Sequence, residues 1–331
     1  MSFDLLTPYV AAQAVESVIA TPVDGALTGY PSYVNRVYGF GAEDGRQYVA
    51  KFYRPGRWSW QAIEEEHRLV AACAAEELPV VAPLADGDGE TLQAVTAADG
   101  DAEQEFLFAV YPKRGGRNFD ADRDSDWLRI GALVGRLHSV MPACVAAHRL
   151  TCTPRAATAR FIEELSRAGV VAPDAAGEFF ALADRAVDRI APLFEGVPLQ
   201  PVHGDCHRGN ILDRAAGGLL LIDFDDLMVA PAVQDLWLLL PGRVADSRRE
   251  LELLLEGYEQ FRPFDRHGLL LIEPLRLMRM IYYLAWSALQ RHDPGFRSSF
   301  PRWGGAAFWT QEIEDLRTQL ALIETELGGR E

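Results

Sequence analysis

Short apolar runs separated by turn residues dominate the first third of this chain. Such runs predict strands, and an Asp-Gly turn between two of them predicts a β-hairpin. The hairpin candidates are YVNRVYGF (33–40) and QYVAKFYRP (47–55), which flank the turn EDGR (43–46). Further strands are predicted within 79–97, the later one at LQAVTA, and at the continuous run FLFAVYP (106–112). Helical spacing of apolar residues predicts helices at 1–20 and 59–77 in the same region.

After about residue 113 the apolar spacing becomes helical almost throughout. Helices are predicted at 127–140, 155–169, 178–194, 249–261, 273–290 and in the closing run TQEIEDLRTQLALIETEL. A loop, the strand GLLLID and a second polar cluster interrupt this pattern at 203–226. The sequence therefore predicts an α+β fold with two lobes, a small and mostly antiparallel sheet lobe at 1–112 and a larger helical lobe at 113–331.

Charge and composition limit the classes of partner. The formal net charge of −16 over 331 residues disfavours sequence-independent binding to nucleic acid or to anionic membranes, because both are bound by cationic surfaces. No apolar run approaches the length of about 18 residues that a membrane span needs, and the opening MSFDLLTPYVAAQAV lacks the basic region of a signal peptide. The four cysteines form no CxxC pair. We expect a monomeric cytoplasmic protein with reduced thiols and no nucleic-acid or membrane partner.

The densest cluster of chemically active residues is the loop HGDCHRGNIL (203–212). One reading is a transition-metal site, and another is a Cys206–His207 nucleophile pair. Against the metal site, the ligands are too closely spaced for a tetrahedral shell from a single loop. Against the nucleophile pair, the side chains of the sequence neighbours Cys206 and His207 would point apart. His203 is more easily read as a structural histidine, and His207 either braces the loop or contacts phosphate.

A third reading joins this loop to the segment IDFDD (222–226). Asn210 and Asp223 offer two oxygen ligands, a pattern that suits Mg²⁺ because this ion takes few protein ligands and keeps several waters. Asp205 can then orient a hydroxyl group and accept its proton, as phosphoryl transfer requires. Asp225 or Asp226 could replace Asp223 as the ligand, but Asp223 is the first aspartate after the apolar strand.

Phosphoryl transfer also needs a cationic group for the phosphates. Lys51 lies in the strand sequence YVAKF and has the V-A-x-K spacing of a phosphate-contacting lysine. Such a lysine is held by a helix glutamate. In the run Glu64–Glu66 we choose Glu66, because it shares a face with Ile63 and Val70, and we expect the remainder of the run to be solvated.

Together these residues resemble the aminoglycoside phosphotransferase/choline kinase branch of the protein-kinase-like fold. Within that branch they are similar to bacterial serine/threonine protein kinases of stress responses. The resemblance spans most of the chain, in the order YPSYVNRVYGF, VAKFYRPGRW, HGDCHRGNIL, DDLMVAPAVQDLWLLL and EPLRLMRMIYYLAW. It implies cytoplasmic phosphorylation of Ser/Thr in proteins, with ATP as co-substrate and Mg²⁺ as cofactor, in stress survival.

The resemblance also assigns roles to individual residues. It implies that Asp205 is the proton acceptor, that Asn210 and Asp223 are magnesium ligands, and that Asp223 is also an active-site residue. It further implies that Ser32 contacts ATP, that Lys51 binds phosphate, and that Asp235 braces the catalytic loop.

The sequence departs from eukaryotic kinases in two respects. The segment TGYPSYVNRVYGF has no GxGxxG motif, and only eleven residues separate Asp223 from Asp235. We therefore predict that activity does not depend on phosphorylation of an activation loop. Two rival functions stay open: a small-molecule kinase for amino alcohols or aminoglycosides, and a pseudokinase that binds nucleotide as a scaffold.

Overall fold

The chain divides into two compact units, and each is assembled from separate stretches. The computed structural model describes residues 3–32, 34–100, 102–214 and 217–328, with Pro294 described in its backbone only. Tyr33, at the start of the predicted hairpin, lies outside the described residues, as do Met1 and Ser2 of the first predicted helix. The first unit contains residues 1–149, 205–227 and 249–263, and the second contains 150–204, 228–248 and 264–331.

A five-stranded antiparallel sheet is the centre of the first unit. Its strands are β1 (Val23–Tyr30), β2 (Arg36–Ala42), β3 (Gln47–Phe52), β4 (Gln93–Asp99) and β5 (Ala102–Pro112). They occur in the spatial order β1-β2-β3-β5-β4. The turn around Gly45 joins β2 to β3, and its φ of 82° is one that glycine adopts without strain.

Helices pack on this sheet and extend the unit. Thr7 caps α1 (Pro8–Ile19), whose alanine and valine face joins the buried aromatic residues of the sheet. Ser59 caps α2 (Trp60–Ala75) by accepting a hydrogen bond from the Ala62 N–H. The unit also contains α3 (Asp124–Val140) and almost all of α7 (Arg248–Glu259).

A small three-stranded sheet in the same unit positions the candidate catalytic loop. Its strands are β6 (Arg117–Asn118), β8 (Ile211–Asp213) and β9 (Leu219–Leu221), in the order β6-β8-β9. Ile211 pairs with Leu221, so the residues just before β8 lie opposite those just after β9. The loop HGDCHRGNIL leads into β8, and the segment IDFDD begins directly after β9.

The second unit is helical around one large apolar core. A two-stranded antiparallel sheet accompanies it, made by β7 (Gln200–Val202) and β10 (Met228–Ala230). Buried residues of the helices form the core, including Phe179, Leu277 and Trp309. The helices are α4 (Ala159–Ala168), α5 (Pro173–Ile190), α6 (Gln234–Trp237), α8 (Ile272–Gln290), α9 (Pro294–Ser299) and α10 (Ala306–Gly328).

The predicted α+β class is confirmed, with an antiparallel sheet and about half of the residues in helices. One predicted strand is wrong. Near residue 80 only an isolated bridge forms, between Val80 and Leu221, because Pro79 and Pro83 flank the apolar pair and supply no backbone N–H. Among the described residues, none of the helices has the length and apolar character to cross a membrane. The division into lobes at 1–112 and 113–331 stays a prediction.

Candidate active site

Of the residues singled out from the sequence, Asp235 belongs to the second unit, and six belong to the first: Ser32, Lys51, Glu66, Asp205, Asn210 and Asp223. Four of them line one cavity of about 410 Å³, namely Ser32, Lys51, Glu66 and Asp223. The cavity walls are partly apolar, with side chains that include Val37, Val49, Val70, Val81, Pro83 and Ile222. The cavity therefore combines apolar walls with the charged side chains of Lys51, Glu66 and Asp223.

Lys51 is the central charge of this cavity. Its Nζ lies 2.9 Å from Asp225 Oδ1, 3.3 Å from Asp223 Oδ1 and 3.7 Å from Glu66 Oε1. Burial disfavours the charged form of the amine, but these three carboxylates outweigh burial and raise the pKa of Lys51 well above its usual value. The amine is therefore held as a cation inside the cavity.

The pKa values of the two buried carboxyl groups near Lys51, those of Glu66 and Asp225, are shifted in opposite directions. Burial raises the pKa of Glu66 despite the opposing effect of Lys51 and Arg149. Burial opposes the ionisation of Asp225 as well, but Arg57 and Lys51 outweigh it and lower the pKa of that carboxyl. Asp225 is therefore the more firmly ionised partner of Lys51.

Asp223 has a backbone conformation that few residues adopt. Its φ of 63° lies in the left-handed region, which is uncommon for a residue other than glycine and concentrates at functional sites. The side chain of Asp223 is 54% exposed, whereas that of Asp225 is almost completely buried. The left-handed residue thus presents its carboxylate to the cavity, and the buried aspartate two residues later binds cations of the protein.

The loop of Asp205 and Asn210 reaches the cavity through backbone pairing. The Ile222 N–H donates to the Asn210 carbonyl oxygen at 3.0 Å, which sets Asn210 opposite the residue just before Asp223. The Asn210 amide Nδ2 donates to the Asp205 carbonyl oxygen at 2.9 Å and so ties the two loop residues together. His207 Nε2 lies 3.3 Å from Asp205 Oδ2, so this histidine contacts the proposed base.

Ser32 and Asp235 have local partners in their own units. The Ser32 hydroxyl accepts a hydrogen bond from the Asn35 N–H at 3.3 Å, at the rim of the cavity. In the second unit, the Asp235 carboxylate accepts hydrogen bonds from the N–H groups of His203 and Gly204 at 2.7 and 2.8 Å. Asp235 therefore fixes the backbone of the two residues that precede Asp205 in the sequence.

Two arginines of this network were not identified from the sequence. Arg57, on the loop after β3, places Nη1 2.8 Å from Asp225 Oδ2 and Nη2 2.6 Å from Asp226 Oδ1. Arg149 donates to the backbone carbonyls of Asp225 and Leu227, and its Nη1 lies 3.8 Å from Glu66 Oε2. No motif marks either arginine, but the three acidic residues of IDFDD imply that cations must meet them once they are buried.

The expectation of a solvated glutamate run is wrong for Glu65. This residue is only 2% exposed, and its two carboxylate oxygens accept hydrogen bonds from the N–H groups of Ala147 and His148 at 2.9 Å. Burial is possible because these N–H groups satisfy the carboxylate. In the described ranges, no group of three or more His, Cys, Asp or Glu side chains is arranged to hold a metal ion.

Comparison with known proteins identifies the family of the chain. Residues 27–272 match the model of the phosphotransferase enzyme family, APH. The chain is 37% identical to Stress response kinase A of Escherichia coli (strain K12) over 303 residues, which cover 91% of this chain and 89% of that protein. It is 38% identical to Serine/threonine protein kinase RdoA of Salmonella typhimurium (strain LT2) over 306 residues, with the same coverage.

Solved structures share the fold at much lower sequence identity. The amicoumacin kinase hAmiN, solved in complex with AMP-PNP, Ca²⁺ and Ami, gives a TM-score of 0.71 at 18% identity, covering 93% of this chain and 92% of that chain. A microcompartment-associated aminopropanol kinase gives 0.69 at 19% identity and covers 98% of both chains. The kinase-like fold predicted from the motifs is confirmed.

Proposed function

Because the chain belongs to the phosphotransferase enzyme family, we propose that it is an ATP- and Mg²⁺-dependent kinase that phosphorylates serine or threonine side chains of proteins in a stress response. The Ser/Thr specificity and the stress role rest on the names of the relatives that are 37–38% identical to it. A cytoplasmic, monomeric enzyme without nucleic-acid or membrane partners is part of the same proposal.

The observation that carries the proposal is the cavity around Lys51. Its volume of about 410 Å³ falls in the range of small-molecule sites, and its valine-rich walls suit a nucleobase. The amine of Lys51, kept charged by Asp223, Asp225 and Glu66, would neutralise the distal phosphates of ATP. Ser32 at the rim is proposed to contact the same nucleotide.

The donor set of Asn210 and Asp223 fits Mg²⁺. The Asn210 amide nitrogen is used by the Asp205 carbonyl, so the oxygen Oδ1 remains as its metal donor. The half-exposed Asp223 carboxylate supplies a charged oxygen next to it in the paired backbone. A bound Mg²⁺ would neutralise phosphate charge during transfer, and two protein ligands leave room for phosphate oxygens and water.

Asp205 is proposed to receive the proton of the substrate hydroxyl. As the hydroxyl oxygen forms a bond to the γ-phosphorus and the bond to the leaving ADP oxygen breaks, the proton passes to the carboxylate of Asp205. His207, 3.3 Å from that carboxylate, and the Asn210 amide, bound to the Asp205 carbonyl, hold the residue in position.

The Asp205→Asn variant tests this role. The amide cannot accept the proton, so we expect phosphate transfer from labelled ATP to fall by about 10²–10⁴-fold, the usual contribution of a general base. ATP binding, measured by calorimetry, should stay close to that of the wild type. Asp120→Asn, at an exposed aspartate of the same unit, is the matched control and should leave transfer unchanged. Retained transfer by Asp205→Asn would contradict the assigned role.

The acceptor is tested separately. Labelled ATP is offered with a generic basic protein and, in parallel, with a panel of amino alcohols. Transfer to serine or threonine of the protein supports the protein-kinase proposal, and transfer to an amino alcohol alone overturns it while leaving the phosphotransferase activity intact. ATP binding with no transfer to any acceptor would favour the pseudokinase.

A further inference from the structure

A second cavity of about 690 Å³ in the first unit is lined by four arginines, Arg114, Arg129, Arg136 and Arg214. Glu77 is its single lining carboxylate among the described residues. Only Arg114 also lines the cavity around Lys51. This arginine cleft therefore stands out as a cationic site in a chain whose net charge is −16.

Carboxylates of the described residues pair with only one of these four arginines. In the described part of the chain Arg114, Arg136 and Arg214 form no ion pair with a carboxylate. Arg136 and Arg214 instead donate to backbone carbonyls, of Glu77 at 3.2 Å and of Gly217 at 2.9 Å. The fourth, Arg129, has two acidic neighbours at 3.4 and 3.9 Å. Three guanidinium groups thus remain to bind an anion.

The arginines are held on rigid elements. Arg129 and Arg136 are seven residues apart on α3 and therefore share one face of that helix, with Leu133 on the same face. Gly116 packs so closely on the hairpin of β8 and β9 that an added Cβ would lie 2.7 Å from Leu212 Cβ and 3.4 Å from Arg214 Cγ. This contact keeps the segment that carries Arg114 beside Arg214.

The remainder of the cleft is apolar. Leu78, Leu133, Leu219 and Leu220 are buried along its floor, and Phe261 is half-exposed at its edge. An apolar floor beneath several guanidinium groups matches a ligand that has an anionic group on an apolar body. Arginine favours phosphate in particular, because the planar fork of donors binds two oxygens at once.

We propose that the arginine cleft binds a small organic phosphate, with the phosphate at the guanidinium groups of Arg114, Arg136 and Arg214 and the apolar body on the leucine floor. The volume of the cleft lies within the range of about 300–1,000 Å³ that is usual for small-molecule sites. A long polyanion such as nucleic acid is disfavoured, because it would extend beyond the cleft onto a protein of net charge −16. The site does not depend on the proposed kinase activity.

The experiment is a calorimetric titration of the full chain with 1-naphthyl phosphate, which joins a phosphate monoester to an aromatic body. Arg136→Gln and Arg214→Gln each remove one guanidinium that lines only this cleft, and each should weaken binding about tenfold, as the loss of a charge-assisted hydrogen bond does. Arg46→Gln is the matched control, because Arg46 is 74% exposed on the β2–β3 turn, and it should bind like the wild type. Thermal denaturation checks that each variant is folded, and Arg136→Gln carries the test alone if Arg214→Gln fails to fold.

Lys51→Met distinguishes the two cavities. If the probe occupies the arginine cleft, Lys51→Met binds it as the wild type does. The proposal is overturned if Lys51→Met abolishes binding while Arg136→Gln and Arg214→Gln do not, since the probe would then occupy the other cavity. It is also overturned if wild type and all variants bind equally or not at all. Inorganic phosphate and 1-naphthol, titrated separately, should each bind more weakly than 1-naphthyl phosphate if both parts of the cleft contribute.

Discussion

At the scale of single residues, the charge on Lys51 depends more on Asp225 than on Glu66. The Lys51 amine is closer to Asp225, and the two carboxyls have opposite pKa shifts: that of Asp225 is lowered, and that of Glu66 is raised. A neutral side chain is therefore tolerated better at position 66 than at position 225. A shift of one pKa unit corresponds to about 1.4 kcal/mol between the charged and neutral forms.

We expect Asp225→Asn to destabilise the protein more than Glu66→Gln. Asp225→Asn leaves Lys51 without its nearest carboxylate and Arg57 with Asp226 alone, a loss of about 3–5 kcal/mol in the free energy of unfolding. Glu66→Gln removes a charge whose contacts to Lys51 and Arg149 are 3.7 and 3.8 Å long and should cost clearly less. Urea denaturation of both variants measures the difference, and equal or reversed losses would contradict the assignment.

His67 gives the protein a pH-dependent contribution to stability. Burial, together with the nearby charges of Lys51 and Arg149, lowers the pKa of His67 from 6.5 to about 3. The neutral ring is satisfied by two hydroxyl groups, with Nε2 2.9 Å from the Tyr53 hydroxyl and Nδ1 2.9 Å from that of Thr91. Between pH 6.5 and about pH 3, the His67 side chain binds a proton in the unfolded chain but not in the folded chain. The contribution of His67 to the stability of the fold is therefore complete above pH 6.5 and is lost as the pH falls toward 3.

We therefore expect His67→Gln to flatten the acid side of the stability curve. Between about pH 6 and pH 4 the wild type should lose about 1.4 kcal/mol per pH unit more than the variant, because glutamine does not titrate. Denaturant unfolding at several pH values measures the two slopes. His292→Gln, at an exposed histidine, serves as the control. Parallel curves for the wild type and His67→Gln would refute the role of His67.

The residues of this site differ in how far the sequence could predict them. Lys51 and Glu66 follow from a strand motif and a helix face, and the structure places them together. Asp225 could not be separated from Asp223 and Asp226 by type or spacing, because the left-handed backbone of Asp223 decides which carboxylate is exposed and which is buried. Arg57 has no periodicity or motif that marks it as a partner of IDFDD.

At the scale of elements, α3 and α7 of the first unit approach each other closely. The two helices approach at glycines: an added Cβ at Gly131 would overlap the Leu254 carbonyl oxygen, and one at Gly135 would lie 2.5 Å from that of Tyr258. In α7, Gly257 meets the Leu128 carbonyl of α3 in the same way. Periodicity predicted both helices, but the spacing of apolar residues does not show which helices approach so closely.

We expect alanine to have opposite effects at two helix glycines. Gly131→Ala should lower the free energy of unfolding by about 1–3 kcal/mol, because the new methyl group must push apart two backbones. Gly177→Ala in α5 should raise it by about 0.5–1 kcal/mol, because that position is open and alanine is the better helix former. Thermal and urea denaturation of the two variants make the comparison, and a stable Gly131→Ala protein would argue against the close packing.

At the scale of the whole molecule, each compact unit is made of stretches that are far apart in the sequence. The first unit needs residues 205–227 and 249–263 in addition to 1–149. The local spacing of apolar residues predicts individual helices and strands, so it shows the change from strand-like runs to helical spacing near residue 113. It does not show that two later stretches pack with the first one, because packing of distant segments has no local pattern. Motifs and periodicity were therefore enough to predict the fold class, but not which stretches of the chain form each unit.

The assembly of the first unit from three stretches predicts the behaviour of a truncated chain. The fragment 1–149 contains the five-stranded sheet, but it lacks Leu221 of β9, whose N–H donates to the Pro79 carbonyl oxygen. It also lacks the residues of α7 whose carbonyl groups contact Gly131 and Gly135. It also leaves Lys51 without Asp223 and Asp225. We therefore expect this fragment to show no cooperative thermal transition by circular dichroism, whereas the full chain unfolds cooperatively. A fragment that melts cooperatively near the temperature of the full chain would show that residues 1–149 fold without the later stretches, and the dependence inferred from the contacts would be wrong.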